Sequence, residues 1–320
     1  MSQTADTLVG VVAESKRRSL IVDLLVRLVK EKPLGTIGGV IVLLLLITGI
    51  FANFLAPYGF NEFIAGSFLK APSAQHILGT DNVGRDILSR IIYGARVSMI
   101  VGLAAASIDV LVATIIGTIS GLIGGKFDLV VQRFVDAFMC FPGLILLVVL
   151  MSLLGSGMLQ VILVLGFVWG IGGSRIVRGA VIGIKENVYV EAARAIGCST
   201  SKLITRHILP NIMAPIIILF TIAVGGIILA EASLSFLGYG IPPPTPSWGG
   251  MLSGAGRYYM LLAPWMVIWP GLALTIVVFG INMLGDAMRD LLDPRLRGGV
   301  GRYGGVNVKK LAVKGKSKSE

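Results

Sequence analysis

The sequence predicts an all-α membrane protein that crosses the bilayer six times. Of its 320 residues, 55% are hydrophobic and only 14% are charged, whereas soluble domains carry about 25% charged residues. The apolar residues form long runs that lack ionisable side chains, and the basic residues are concentrated on one side of these runs. This composition excludes a soluble globular enzyme. It also excludes a disordered chain, because disorder requires low hydrophobicity and dense charge.

Six apolar segments are long enough to span a bilayer, since about 20 helical residues cover a hydrocarbon layer of about 30 Å. They comprise residues 34–56, 97–125, two antiparallel helices within 137–174, 211–230 with an extension to about 237, and 258–285. The charge-free block 137–174 is too long for one span, and Gly155-Ser156-Gly157 near its middle predicts a tight turn. A barrel is not expected, because barrel strands alternate apolar and polar residues.

The distribution of basic residues predicts the orientation. Of the 28 lysines and arginines, 23 lie on one side of the predicted spans, and these favour the cytoplasmic side. Both termini are therefore predicted to be cytoplasmic, with an arm over 1–33, an extracytoplasmic loop over 57–96 and a basic tail over 289–320. The net charge of +11 is attributed to these topology signals and to anionic lipid, and no nucleic-acid partner is expected.

Two flanking helices are also predicted. Residues 18–32 place leucines and Ile21 on one helical face and basic residues elsewhere, as in a helix that lies on the membrane surface. Before the second span, Asp81 is predicted to cap a helix in which Ile87, Ile91 and Ala95 share one face.

Ionisable residues within the spans are few. Asp109 in the second span and Glu231 near the outer end of the fifth are the main candidates for function, because a buried carboxylate costs about 2.5–3.5 kcal/mol on insertion scales. We expect each to form a hydrogen bond to a neighbouring helix. Neither has a histidine companion in its span, so a proton relay is not favoured.

Glycine pairs four residues apart are predicted to let helices approach closely within the bundle. They are Gly117 and Gly121, Gly121 and Gly125, and Gly166 and Gly170.

The chain shows no pattern for metal binding, nucleotide binding or catalysis. Cys140 and Cys198 fall in a span and a cytoplasmic loop, so neither a disulfide nor a metal site is expected. Gly315-Lys316-Ser317 imitates the end of a phosphate-binding loop, but Lys310 occupies the position of the required first glycine. We therefore predict no catalytic residue, no metal and no cofactor bound by this chain.

The loop after the fourth span, at about 184–211, has the most specific pattern. Glu191-Ala192-Ala193 lies on a predicted helix that Gly197 ends, since glycine adopts the left-handed conformation at low cost. Ser199 is predicted to cap a second helix that ends at Pro210. Two alanines beside Glu191 leave a slim helix with one anionic group, which suits insertion into a groove of a partner. An ordinary amphipathic linker is the alternative.

This loop resembles the EAA loop of binding-protein-dependent ABC importer permeases. The family usually has isoleucine where this chain has His207, and the sequence His207-Ile208-Leu209-Pro210-Asn211 is similar to the dipeptide and oligopeptide branch. Three further segments resemble that branch: 78–96, 235–249 with its proline-rich stretch and Trp248, and 284–295. The resemblance covers about residues 27–297.

The resemblance implies a type I ABC importer permease for di- or oligopeptides in the cytoplasmic membrane. Residues 97–288 would form the transporter domain. Implied partners are a homologous second permease, two ATPase subunits that use ATP and Mg, and an extracytoplasmic solute-binding protein. The residues that resemble the coupling motif are Glu191, Ala192, Ala193, Gly197, Leu209 and Pro210. Asp109 is a candidate for the substrate pathway.

Several alternatives remain open at this stage. The same machinery could carry nickel, glutathione or oligosaccharides. A secondary transporter would need no ATPase and would be expected to contain ion-binding side chains or broken helices, for which the glycine-rich stretch 170–173 is a candidate. A channel or a membrane scaffold is a third class.

Overall fold

The computed structural model describes residues 20–292, which form helices and connecting segments without a strand in that range. Most of the predicted N-terminal arm, nearly all of the basic tail and the segment around Lys316 lie outside the described residues. The first described helix, α1 (Leu20–Glu31), confirms the helix predicted over 18–32. Val22, Leu25 and Val29 are exposed on it, whereas Leu28 is buried against the bundle. Its position on the membrane surface stays a prediction.

Within residues 20–292, five helices are long and apolar enough to cross a membrane. They are α2 (Pro33–Ile50), α4 (Ile87–Ile123), α7 (Met158–Lys185), α10 (Met213–Phe236) and α13 (Trp265–Leu292). They confirm the first, second, fourth, fifth and sixth predicted spans. A short helix, α3 (Ala52–Leu55), extends the end of α2.

The third span differs from the prediction. Instead of one helix beginning near 137, the chain forms α5 (Gly125–Met139) and α6 (Gly143–Leu154), which meet at an angle of 88° and can form the sixth span only as a bent pair. Pro142 explains the break, because proline donates no backbone hydrogen bond and disfavours a helical residue before it. The predicted turn after α6 is confirmed, with Gly155 at a φ of +83°.

Two helix starts were also predicted wrongly. Helix α4 begins ten residues before the predicted span, and its N-cap is Asp86 and not Asp81; the Asp86 carboxylate accepts a hydrogen bond from the Ser89 amide. Ile87 and Ala95 are buried, as predicted for one face. At the other end of the chain, α11 (Trp248–Leu252) and α12 (Ala255–Tyr259) precede α13, which begins only after Pro264.

Helices α4 and α7 pack with their backbones in close contact. A Cβ atom on Gly117 would lie 2.6 Å from the Ser174 carbonyl oxygen, and one on Gly166 would lie 2.6 Å from Ile108 Cβ. Gly170 faces Val112 in the same way, at 2.7 Å. These contacts confirm the prediction that the glycines serve helix packing. Gly125 is an exception, since it begins α5 and no atom approaches the position of its Cβ.

The segment between α3 and α4 is held by polar contacts within the chain. Thr80 Oγ1 donates a hydrogen bond to the Ser67 carbonyl, and Asp81 accepts from the Arg85 backbone and side chain. Nδ1 of buried His76 lies 3.0 Å from Oδ1 of buried Asp86. This network fixes the chain just ahead of α4.

Candidate functional site

The loop between α7 and α10 is short and mostly helical. It contains α8 (Val188–Ala195), α9 (Thr200–Leu203), a π-helical turn (Ile204–Ile208) and a 3₁₀ turn (Leu209–Asn211). Helix α8 confirms the first predicted helix. The second is more irregular than predicted, because Pro210 lacks the amide hydrogen that a regular helix requires at this point. Ser199 occupies the predicted N-cap, but its side chain makes no capping hydrogen bond.

Gly197 ends α8 in the predicted manner. Its φ is +81°, a conformation that costs a residue with a Cβ roughly 1–2 kcal/mol. The Gly197 amide donates to the Arg194 carbonyl at 2.9 Å, and the Cys198 amide donates to the Ala193 carbonyl at 3.0 Å. This pair of bonds is a Schellman motif, which turns the chain sharply between the two helices.

Helix α8 has one buried face and one exposed face. Val190 and Ala193 are buried and pack against the adjacent end of the bundle, including Val181 and Ile208. Glu191 and Ala192 are exposed. Of the predicted coupling residues, Ala193 thus packs α8 against the bundle, whereas Glu191 and Ala192 are accessible to a partner.

The exposed side of this loop forms a concave surface with a volume of about 820 Å³. Its wall includes Tyr189, Ala192 and Gly197 from the motif region, and its rim carries Lys202 and Arg206. Ile196, a large apolar side chain that also lines this surface, is 86% exposed. Glu191 forms no ion pair with any residue that the structure describes.

His207, the departure from the usual family pattern, also lies at this surface. Its ring faces the ring of Tyr189, with the two centroids 6.4 Å apart. The contact joins α8 to the π-helical turn, so the residue contributes to the shape of the loop.

The second candidate, Asp109, lies in the interior of the bundle. Its residue is 1% exposed, and its Oδ1 atom has no hydrogen-bond partner. The predicted hydrogen bond to a neighbouring helix is therefore wrong for this oxygen. Asp109 instead lines a cavity of about 420 Å³, together with apolar side chains of the bent α5–α6 pair, α7 and α10. The sequence did not indicate this cavity, because its walls come from segments far apart in the chain.

Comparison with known proteins agrees with this architecture. The profile of the family described as "Binding-protein-dependent transport system inner membrane component" matches residues 113–298. The chain belongs to this family of permeases. The match includes the loop between α7 and α10 and all of the described helices from α5 onward.

Three relatives are similar to the permease over most of its length. The dipeptide transport system permease protein of Alkalihalophilus pseudofirmus is 38% identical over 84% of this chain and 88% of its own. The oligopeptide transport system permease protein of Bacillus subtilis is 38% identical over 88% of this chain and 92% of its own. The glutathione transport system permease protein of Escherichia coli O157:H7 is 38% identical over 84% of this chain and 89% of its own.

These findings confirm the predicted family, the all-α transporter fold and the location of the permease as a multi-pass protein of the inner cell membrane. The cytoplasmic placement of both termini is not tested by them and stays a prediction. The roles of the individual coupling residues also stay predictions.

Glu231 in the permease is buried and has partners. Its carboxylate accepts a hydrogen bond of 2.7 Å from the Ser235 hydroxyl in its own helix and interacts with Ser247, the N-cap residue of α11. The predicted contact with a neighbouring helix is therefore confirmed for Glu231. The two intramembrane carboxylates thus differ, since Glu231 is paired and Asp109 Oδ1 is not.

Proposed function

We propose that the permease is one half of the membrane pathway of an ATP-driven importer for di- or oligopeptides. The substrate class is supported by the names of two relatives, which transport dipeptides and oligopeptides, and of a third, which transports glutathione, itself a tripeptide. The observation that carries the ATP-driven mechanism is the exposed face of α8, with Glu191 unpaired among the described residues.

In this proposal α8 is the coupling helix, which inserts into a groove of an ATPase subunit. Glu191 meets a basic group of that groove, Ala192 keeps the helix slim, and Gly197 turns the chain so that Leu209 and Pro210 stand behind it. Two ATPase subunits bind and hydrolyse ATP with Mg, a homologous permease supplies the other half of the pathway, and an extracytoplasmic binding protein delivers the peptide. The permease itself binds no nucleotide.

The cycle follows from coupling between two states. ATP binding closes the ATPase pair and draws the coupling helices together, which opens the pathway outward, and hydrolysis resets it. Such a change requires that the ATPase contacts differ between the two states. The C-terminal end of α7 leads directly into α8, with only Glu186 and Asn187 between them, so a displacement of α8 acts on a membrane-spanning helix.

The proposal is tested with the affinity-purified complex in proteoliposomes. The binding protein is loaded in turn with a dipeptide, a longer peptide, glutathione or a nickel chelate, and ATP hydrolysis and uptake are measured. We expect stimulation by the peptides. Stimulation by the nickel chelate alone would show that the substrate is a metal chelate and not a peptide. Uptake by the permease without any ATPase subunit would show secondary transport instead of ATP-driven import.

Variants of α8 test the coupling role. We expect Glu191→Lys to reduce ATP-driven uptake at least tenfold, since it places a cation where the basic group of the partner should bind. Gly197→Pro should have a similar effect, because proline cannot adopt the observed φ or donate the amide hydrogen bond. Glu186→Lys is the matched control, with the same charge change at an exposed residue outside the motif.

The abundance of each variant in the membrane is measured alongside uptake. Normal uptake by both α8 variants would remove the coupling assignment. Uptake lost equally in Glu186→Lys would mean that the effect comes from the charge of the whole loop.

A further inference from the structure

The cavity beside Asp109 has the features of a ligand site. Its volume of about 420 Å³ falls within the range of roughly 300–1,000 Å³ that is usual for small-molecule sites. Gly172 and Gly173 of α7 form part of its wall, and no atom lies within 4 Å of the position that a Cβ of Gly172 would occupy. The cavity is thus open beside the helix that leads to α8.

Asp109 is the one titratable side chain among the described residues that line this cavity. The nearest arginines along α7 are already engaged by α5: Arg178 binds Asp128 through two hydrogen bonds of 2.6 and 2.5 Å, and Arg175 is paired with Asp136. They are therefore not available as partners for Asp109. A buried carboxylate oxygen without a partner is costly, so the site favours a ligand that brings a cation or a hydrogen-bond donor.

The lining restricts the chemistry of that ligand. Apart from Asp109, the lining side chains are apolar or glycine, with Phe138, Phe141 and Trp169 as aromatic members. A bound Ca²⁺ would require six to eight oxygen ligands, which a single carboxylate does not provide. An organic ammonium with an apolar body fits better, because one carboxylate satisfies its charge and an aromatic face adds a favourable cation–π contact.

We propose that this cavity binds the amino-terminal ammonium group of the transported peptide during its passage, with Asp109 as the anionic partner. The identity of the ligand rests on the proposed function, whereas the preference for organic cations rests on the cavity alone. Asp109 holds the amino terminus, and the apolar wall accommodates the first side chain of the peptide.

The charge preference of the cavity can be measured directly in the assembled importer in proteoliposomes. Cys140 and Cys198 are replaced by serine, and Gly172→Cys supplies one thiol in the cavity. Its labelling rate is measured with aminoethyl methanethiosulfonate, which carries an ammonium, and with neutral methyl methanethiosulfonate. The ratio of the two rates cancels any effect of Asp109 on the reactivity of the thiol itself.

We expect this ratio to fall at least tenfold when Asp109→Asn is added, because a carboxylate that lines the same cavity attracts an ammonium strongly in a partly desolvated site. The matched control is Gly179→Cys, an exposed position on the same helix outside the cavity lining. There the ratio should not depend on Asp109. An unchanged ratio at Gly172→Cys would overturn the proposal, since Asp109 would then be neutral or without access to the cavity.

Uptake of a peptide with a free amino terminus provides the second readout. We expect Asp109→Asn to lower the maximal uptake rate about tenfold at saturating loaded binding protein, and Asp109→Glu to restore part of it, because a charge is retained. Membrane abundance and ATPase assembly are measured for each variant. If the unmodified importer and Asp109→Asn take up peptide equally well, the role of Asp109 in peptide binding is wrong, whereas the proposed function stands. If the unmodified importer takes up no peptide with ATP, the proposed function fails, and the labelling ratio still decides whether the cavity selects cations.

Discussion

The segment before α4 and the loop after α7 differ in whether their polar side chains find partners within the chain. In the first, the polar groups find partners in the same chain: His76 meets Asp86, and Asp81 meets Arg85. In the second, Glu191 of α8 and Ile196, the residue directly after α8, are exposed. The capping residues differ in the same way, since Asp86 uses its side chain to cap α4, whereas Ser199 makes no side-chain bond to α9.

This difference shows which segment satisfies its polar groups within the chain and which does not. A segment whose polar groups are satisfied internally holds its shape alone. A segment that leaves a large apolar side chain and an unpaired carboxylate exposed is open to a partner, in line with the proposed contact with an ATPase subunit. Substitutions in the first segment should therefore change stability, whereas those in the second should change assembly.

The largest effect is expected from Asp86→Ala. The substitution removes the partner of buried His76 and two hydrogen bonds that the carboxylate accepts from Ser89. We expect a loss of about 3–5 kcal/mol, as for a broken buried pair, seen as lower thermal stability of the detergent-solubilised permease.

Asp86→Asn is the control for this prediction, because asparagine retains the capping ability. It should destabilise clearly less than Asp86→Ala. Equal stability of the unmodified permease and its two Asp86 variants would mean that the segment before α4 does not depend on its internal contacts. The contrast between this segment and the loop after α7 would then be wrong.

A smaller effect is expected from Ile196→Asp, and it should change only the binding of the ATPase subunit. This side chain is 86% exposed, so its replacement should change the stability of the permease by less than about 0.5 kcal/mol. If it contacts the ATPase, the affinity for that subunit should fall about 30-fold, which corresponds to an interface residue worth about 2 kcal/mol. Titrated binding of the ATPase subunit to the solubilised permease measures the change.

Leu261→Asp provides the matched substitution, at a side chain that is 94% exposed on the predicted extracytoplasmic side. It should leave ATPase binding unaltered. Equal weakening by both variants would point to a general effect of added charge, and no weakening by Ile196→Asp would remove this residue from the contact surface.

The smallest effect separates two serine N-caps. The Ser247 side chain accepts a hydrogen bond from the Gly250 amide and interacts with buried Glu231, so Ser247→Ala should cost about 1–2 kcal/mol. Ser199→Ala should cost less than about 0.5 kcal/mol, because no capping bond is lost. Thermal denaturation of the two variants side by side measures the difference, and the reverse order would contradict the difference between the two caps.

The sequence predicted most of the fold because its main signals are local. Long apolar runs placed five spans, and Gly155 and Gly197 marked turns that require a left-handed residue. The bend at Pro142 was missed because hydropathy does not report the direction of a helix axis. The true cap of α4 was missed because Asp81 and Asp86 are both capable of capping, and the sequence alone does not show that Asp81 is held by Arg85 whereas Asp86 bonds the first turn of α4.

The candidate site was predicted in part for a similar reason. The coupling motif is contiguous, so a short stretch of sequence is enough to indicate α8. The cavity is not contiguous: Asp109, Phe141, Trp169 and Ile222 come from four separate segments. A lone aspartate in an apolar run indicated a costly residue, but its neighbours could be known only from the packing of the helices.

The close contact of α4 with α7 has a mechanical consequence. Helix α7 contains 28 residues and is about 42 Å long at 1.5 Å per residue. Because the two backbones touch at Gly117, Gly166 and Gly170, they leave little freedom for one to slide past the other and should move as a single rod. Asp109 is attached to one member of that rod, and α8 continues directly from the other. Work done on the loop after α7 would thus arrive at the carboxylate as a change of position, through a connection of only two residues between α8 and α7.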